Sequence, residues 1–293
     1  MTIELGTPDD EGLRDAVRVL ASWQRSGDPL QLHPGDVGWF RRLGARAATD
    51  AVRAWSADGR LVAVGLLDGR DLLRATTAPE LRRDAALAAA MADDIARPER
   101  GILGPGPASL EVPSGALLDE RMADAGWAVG EPWTPLERDL SEPVEGARAS
   151  RLRIVEVDGT DPGLISAWSA VQRSAFGTVA AVEARWYAMA DGPAFRGARC
   201  LLGLDGDAPA AGVIAWSAGE GRPGLIEPMG VHAEHRGRGH GTAITLAAAA
   251  ALRALGASSA QVCTESAREP AIATYRAAGF VPQPTRFDRV RAA

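Results

Sequence analysis

A glycine-rich stretch in the second half of the chain constrains fold and function more than any other feature. The sequence Arg-Gly-Arg-Gly-His-Gly at 236–241 follows an apolar segment, 224–231, and precedes an alanine-rich segment, 242–255. Alternate glycines let the backbone turn tightly and come close to a ligand, because no Cβ intervenes. A helix that begins directly after such a loop points unpaired N–H groups and the positive end of its dipole at one place. This order of strand, loop and helix predicts a phosphate or pyrophosphate site, to which Arg236 and Arg238 add positive charge.

Two better-known phosphate loops do not fit this stretch. The dinucleotide fingerprint has a different glycine spacing and needs an acidic residue about 20 positions later, which is missing here. A P-loop requires a lysine, and the chain has none. The Arg-x-x-Gly-x-Gly form of Arg236, Gly239 and Gly241 instead resembles the acyl-CoA loop of the GNAT superfamily of N-acetyltransferases. The segment Tyr-Arg-Ala-Ala-Gly-Phe at 275–280 belongs to the same resemblance. The alternative is a surface turn with solvated arginines.

Composition narrows the class of protein. The 293 residues suffice for two domains, and 46% hydrophobic with 24% charged residues is typical of a soluble globular protein. No apolar run is long enough to span a membrane and no secretory signal begins the chain, so we expect no membrane partner. The net charge of −6 argues against a nucleic-acid partner. Cys200 and Cys263 lie in apolar contexts, which favours free thiols and a cytoplasmic location.

An internal repeat predicts two similar domains. Aligning Gly126-Trp127 with Gly279-Phe280 gives an offset of 280 − 127 = 153 residues, near half the chain length. Hairpins are predicted about Asp58-Gly59 and about Asp205-Gly206, one in each half. The predicted boundaries are a first domain at 1–140, a linker at 141–150 and a second domain at 151–293. The alternative is two unrelated α+β domains.

The predicted fold class is α+β, with two tandem GNAT-like domains, each a mixed, mostly antiparallel sheet flanked by helices. Patterns in the second half predict the following elements: Leu152–Val157, Pro162–Phe176, Val182–Ala190, Cys200–Leu204, Ala211–Ser217, Leu225–Val231, Thr242–Leu255, Ala260–Thr264, Pro270–Ala278 and Thr285–Arg291. Gly256 is placed to end the long helix. The resemblance implies that central strands separate to admit the pantetheine arm.

The first half lacks the features of the predicted site. Arg82 corresponds to Arg236, but Ala85 and Leu87 replace the glycines, Asp84 adds negative charge, and Met122 replaces a tyrosine. We expect this domain to have lost acyl-CoA chemistry and to shield the second domain, closing one side of a shared cleft.

The resemblance implies acetyl-CoA as the co-substrate and assigns its binding site to loop and strand residues. These are Met229, Gly230, Val231, Arg236, Gly237, Arg238, Gly239, His240, Gly241 and Thr242. The strand residues would pair with pantetheine, and one of their N–H groups would bind the thioester oxygen.

Two residues are the predicted catalytic groups. Tyr275 occupies the tyrosine position of the resembled segment, and a phenol is suited to protonating the departing thiolate. Glu227 lies in an apolar strand beside the predicted site and is the candidate base, acting through water. The alternatives are a core aromatic for Tyr275 and an ion pair for Glu227. Two departures from the resembled pattern are Leu225, where relatives often carry the glutamate, and Arg268, where they often carry an asparagine.

The remaining predictions concern metal, acceptor and function. His232, His235 and His240 cluster without a nearby carboxylate or thiolate in the loop, so we predict no metal site. Acceptor contacts are predicted at Trp168, Trp186 and Tyr187, although core packing explains such aromatics equally well.

The predicted function is acetyl transfer from acetyl-CoA to a primary amine of a small molecule, or of a peptide or protein. The alternative is a non-catalytic acyl-CoA sensor or scaffold. The tandem plan also resembles that of mycothiol synthases, which gives a narrower alternative. The sequence leaves monomer and homodimer open.

Overall fold

A computed structural model describes residues 2–146, 152–177 and 182–292 of the chain. Residues 147–150 of the predicted linker lie outside the described residues. The elements of the first half, in chain order, are β1 (Ile3–Gly6), α1 (Asp10–Trp23), α2 (Pro34–Phe40), α3 (Ala45–Ala51), β2 (Val52–Ala57), β3 (Arg60–Leu67), β4 (Leu72–Thr77), α4 (Ala85–Ala96), β5 (Ala108–Glu111), α5 (Leu117–Asp124) and β6 (Ala128–Asp139). Those of the second half are β7 (Arg153–Glu156), α6 (Pro162–Phe176), α7 (Val182–Ala190), β8 (Ala198–Asp205), β9 (Ala208–Trp216), β10 (Gly224–Val231), α8 (His240–Ala254), β11 (Ser259–Glu265), α9 (Glu269–Ala277), β12 (Val281–Pro282) and β13 (Arg286–Arg291).

The predicted α+β class is confirmed, and the predicted elements of the second half occur within three residues of the expected ends. Local chemistry explains the helix limits. The Asp161 side chain accepts a hydrogen bond from the Gly163 N–H at the start of α6, and Pro162 takes the first helical position. Gly256, at φ +80°, follows the end of α8 as predicted.

The chain divides into two compact units, which we describe separately. The first contains Met1–His33, Ala45–Trp133 and Thr285–Ala293, and the second contains Pro34–Gly44 and Thr134–Pro284. The first unit has the strand order β1-β2-β3-β4-β5-β13-β6, in which β4 and β5 are parallel. Its core includes Trp55, Leu110 and Met122, each fully buried.

Strand β6 contains the boundary between Trp133 and Thr134, so its last part is counted with the second unit. The strand order of that unit is β6-β11-β10-β9-β8-β7, and β12 pairs with the last part of β6. Two buried clusters hold this unit together. One contains Tyr275, Phe280 and residues of α8, and the other contains Trp168, Trp186 and Trp216. In the part of the chain that the structure describes, no helix has the length and apolarity needed to cross a membrane.

The composition of the units differs from the predicted contiguous division in two segments. Strand β13 pairs with β5 and β6 of the first unit, where Arg289 lies opposite Leu110 and Val129. Helix α2 belongs to the second unit because Gly35 and Gly38 lie directly against the Trp216 ring. A Cβ on either glycine would lie 2.5 Å from that ring. The boundaries 1–140 and 151–293 therefore stay a prediction.

The parallel strands β10 and β11 separate soon after they begin. Their pairing joins Gly224 to Ala260 and Leu225 to Gln261, and among the described residues it extends no further. The backbone of 229–231 therefore has no partner on β11 in that ladder, which is the separation that the resemblance implied.

Candidate functional site

The glycine loop joins the end of β10 to the first turn of α8. Gly237 and Gly239 adopt φ of +75° and +80°, and no described atom lies within 4 Å of a Cβ built on either residue. Such backbone favours glycine, and the open surroundings leave room for a ligand. Gly241 is different, because a Cβ there would lie 3.0 Å from Thr274 Cγ2 and 3.6 Å from Val231 Cγ2. The loop glycines therefore serve two purposes. Those at 237 and 239 allow a left-handed backbone, and the one at 241 allows close packing against its neighbours.

Strand β10 carries an irregularity at Glu227. Ile226 pairs with Ala215 of β9 and Met229 with Val213, so three steps along β10 match two along β9. Pro228 has no N–H to give to the ladder, which favours a bulge here. The Glu227 carbonyl accepts a hydrogen bond from Trp216 Nε1 at 2.5 Å. The bulge is thus anchored to the core at the residue predicted to be the base.

The backbone of 229–231 lies beneath the end of α6. A Cβ on Gly230 would lie 2.7 Å from Ala175 Cβ and 3.1 Å from the Phe176 ring. Met229 and Val231 pack against the core cluster that contains Tyr275. The predicted pantetheine strand, the end of α6 and the glycine loop therefore meet in one region of the second unit.

Tyr275 is 6% exposed and packs beside Phe280, with ring centroids 6.0 Å apart. Burial raises the pKa of its phenol well above the ordinary value, and the negative charges of Glu227 and Cys263 raise it further. The phenol is therefore protonated at neutral pH, as a proton donor must be. Glu227 therefore lies near enough to Tyr275 for its charge to affect the pKa of the phenol.

The arginines of the region have different partners. Arg236 Nη2 donates to the Ala175 carbonyl at 3.3 Å, and Arg238 Nη1 lies 3.5 Å from Asp205 Oδ2. Arg268 forms an ion pair with Glu265 at 2.8 Å, on exposed side chains. Arg236 and Arg238 thus belong to the loop and contact the end of α6 and the end of β8, respectively. Arg268 is held by its own neighbour on the chain.

Sequence reasoning missed Asp205, which joins the histidines of the loop. His240 is 7% exposed, and its Nε2 lies 3.2 Å from Asp205 Oδ2, while His235 Nδ1 lies 3.5 Å from the same oxygen. The hydrogen bond with His240, together with the contacts to His235, holds the pKa of Asp205 below its usual value. Asp205 ends strand β8 and lies some 30 residues before the histidines in sequence, so only the fold brings them together. The sequence argument against a metal ion was that no carboxylate accompanies the histidines. In the structure Asp205 lies beside two of them, so that argument no longer applies. His232 instead accepts a hydrogen bond from the Glu234 N–H.

The predicted acceptor residues have different exposures. Trp168 and Trp186 are 1% and 2% exposed and lie in a core cluster, whereas Tyr187 is 48% exposed. Trp168 lies over Gly212, where a Cβ would meet its ring at 3.0 Å. Of these three residues, Tyr187 is the one that a small molecule can reach.

Thr242, which is predicted to contact acetyl-CoA, is half-buried in the first turn of α8.

The first unit has no equivalent geometry at the corresponding positions. The Asp84 side chain accepts a hydrogen bond from the Leu87 N–H at 2.8 Å, so a carboxylate already occupies the start of α4. Arg82 pairs with Asp28 at 2.8 Å. Arg74 and Glu111 lie opposite each other on β4 and β5 and form a buried ion pair at 2.9 Å. In the first unit, these contacts therefore lie at the positions that correspond to the glycine loop and to strands β10 and β11 of the second unit.

Comparisons with known proteins agree with these observations. Residues 166–280 match the Acetyltransferase (GNAT) family. The fold resembles a tandem GNAT protein from the clavulanic acid biosynthesis pathway, with a TM-score of 0.63, 20% identity and coverage of 99% of this chain and 98% of that one. It also resembles a GCN5-related N-acetyltransferase from Sphaerobacter thermophilus, with a TM-score of 0.56, 20% identity and coverage of 99% and 95%. A GNAT-family acetyltransferase from Colwellia psychrerythraea gives a TM-score of 0.60 at 13% identity, with both chains covered in full. A search of curated proteins found no significant match.

Proposed function

Since the second unit carries a domain of the GNAT acetyltransferase family, whose chemistry is acyl transfer from acyl-CoA, we propose that this chain is an N-acetyltransferase. It transfers the acetyl group of acetyl-CoA to the primary amine of a small molecule. The observation that supports this most is that three features occur together in the second unit. They are an open glycine loop, a pair of parallel strands that separate, and the buried Tyr275, whose pKa is raised by burial and by the charge of Glu227.

Acetyl-CoA binding falls to the loop and to β10. The N–H groups of 240–242 begin a helix and have no intrahelical acceptor, so they are suited to the pyrophosphate, and Arg236 and Arg238 supply charge. The open space around Gly237 and Gly239 fits close approach of a phosphate. Met229, Gly230 and Val231 offer the pantetheine arm a strand edge that β11 does not occupy.

In this reaction the acceptor nitrogen loses two protons in all, as ammonium becomes amide, and the sulfur gains one. Glu227, through water, accepts a proton from the ammonium form of the acceptor, and the free amine attacks the thioester carbon. As the new C–N bond forms, negative charge develops on the carbonyl oxygen, where an N–H of 229–231 stabilises it. The C–S bond then breaks, and Tyr275 gives its proton to the sulfur. The second proton of the acceptor nitrogen passes through water to the tyrosinate, which restores the phenol. The raised pKa of Tyr275 keeps that proton in place until the thiolate forms.

For the acceptor, the proposal specifies only the chemical class, a cationic amine. Exposed Tyr187 and the half-exposed carboxylate of Glu183, which pairs with Arg173 at 3.3 Å, lie on or beside α7 and suit a cationic amine. A mycothiol synthase-like activity is the narrower form of this proposal. A cytoplasmic location is also proposed, since among the described residues Cys200 and Cys263 form no disulfide.

Two measurements test the proposal. Calorimetric titration with acetyl-CoA should show one binding site per chain. A panel of amines, including polyamines, amino sugars, a desacetyl-mycothiol-type amine and peptides, should then show amine-dependent release of free CoA thiol. Binding without release for any amine would support a sensor instead, and no binding at millimolar ligand would refute both functions.

A further inference from the structure

We propose that Asp205, His235 and His240 form a binding site for a transition-metal ion of the zinc class. The site lies between the β8–β9 hairpin and the glycine loop. The nearest oxygen or nitrogen atoms of the three side chains lie within 4.8 Å of one another.

Two of the three distances between ligand atoms are close to those that such an ion imposes. Metal–nitrogen and metal–oxygen bonds of about 2.0–2.1 Å at tetrahedral angles place neighbouring ligand atoms about 3.3–3.4 Å apart. Asp205 Oδ2 lies 3.2 Å from His240 Nε2 and 3.5 Å from His235 Nδ1. The ligand atoms of His235 and His240 lie within 4.8 Å of each other, so a side-chain rotation has to bring this third pair to the same spacing.

The donor set selects the class of ion. Imidazole nitrogens favour zinc, copper, nickel and cobalt over magnesium and calcium, which prefer oxygen ligands. Two imidazoles and one carboxylate also form the protein side of known four-coordinate zinc sites, with a fourth position left for water. His235 Nδ1 is buried and makes no full hydrogen bond within the described residues, and Asp205 Oδ2 lies 3.5 Å from it.

The three ligands come from separate segments. Asp205 ends β8, His235 lies in the turn before the loop, and His240 begins α8. A bound ion would therefore cross-link the hairpin to both ends of the loop. It would also take the oxygen that Arg238 now contacts at 3.5 Å, and so exchange an exposed ion pair for a coordinate bond.

The test uses the full chain after treatment with a chelator. Titration with Co²⁺ should give the intense visible bands of tetrahedral cobalt with one ion per chain, and Zn²⁺ should displace it. Asp205→Asn and His235→Ala should each weaken Zn²⁺ affinity by at least the roughly 10- to 100-fold that loss of an outer-shell partner costs. Zn²⁺ should raise the Tm of the wild type and not that of Asp205→Asn.

Matched controls come from the same segments. Asp207 lies in the same hairpin with a fully exposed side chain, and His232 accepts its hydrogen bond from Glu234 instead. Asp207→Asn and His232→Ala should bind Zn²⁺ as the wild type does. Weak octahedral cobalt spectra, thiolate-to-cobalt bands from a cysteine, or equal affinity in Asp205→Asn and Asp207→Asn would each overturn the assignment.

Discussion

Replacing Gly239 by glutamate tests whether the loop binds an anion. Gly239 is exposed, adopts φ +80° and has no described atom within 4 Å of where a Cβ would stand. A side chain there meets no neighbouring group, and its steric cost is confined to the left-handed backbone. A carboxylate about 5 Å from a phosphate charge costs about 1 kcal/mol at the dielectric constant of water and about 3 kcal/mol at an effective value of 20. That energy corresponds to a loss of acetyl-CoA affinity from about fivefold to a few hundredfold.

Two further variants separate charge from backbone strain. Gly239→Ala carries only the left-handed backbone cost, about 1–2 kcal/mol, and should lower stability with a smaller effect on affinity. Ala85→Glu, at the start of α4 in the first unit, should leave affinity unchanged. Calorimetric titration at low and at moderate salt measures all three, and the charge effect should shrink with salt. Wild-type affinity in Gly239→Glu would refute the anion site.

Three other predictions concern stability and pH. Gly35→Ala places a Cβ 2.5 Å from the Trp216 ring and should destabilise the protein by about 1–3 kcal/mol in chemical denaturation, whereas Gly104→Ala, in open space, should not. Burial, opposed by Arg286 and reinforced by Glu111, raises the pKa of Asp288 from 3.8 to about 6. The folded state therefore binds the proton more tightly, and ionisation of Asp288 lowers stability as pH rises from about 4 to about 6. Asp288→Asn should gain stability relative to wild type between pH 4 and 7, and a pH-independent difference would contradict this. Because the pKa of Tyr275 is raised, kcat/KM should show no alkaline decline from this phenol below about pH 10, and a decline that disappears in Tyr275→Phe would contradict the assignment.

Much of the second unit could be predicted because its signals are local. Periodicity, Asp161 before Pro162, and Gly256 each act within a few residues, so helix and strand limits follow from short segments. The signal for the glycine loop is equally local, because the positive φ at Gly237 and Gly239 is one that glycine adopts readily.

The features that sequence reasoning missed depend on contacts between distant segments. Strand β13 is predicted as a strand, but its partners, β5 and β6, are a matter of tertiary pairing. Helix α2 joins the second unit because Gly35 and Gly38 admit Trp216, and glycine in a helix gives no local sign of that. Asp205 has the sequence context of a turn residue, and only the fold brings it to His235 and His240. Buried Trp168 and Trp186 show that an aromatic pattern does not separate core from ligand contact.

Comparing Tyr275→Phe with the wild type tests the proposed acyl transfer most directly. The substitution removes the hydroxyl and keeps the ring that packs beside Phe280. With an amine that supports turnover, kcat should fall by about a hundredfold or more, the usual contribution of a general acid, while the Kd for acetyl-CoA stays nearly unchanged. Unchanged kcat in a folded variant that binds acetyl-CoA would contradict the role assigned to Tyr275 and the mechanism built on it.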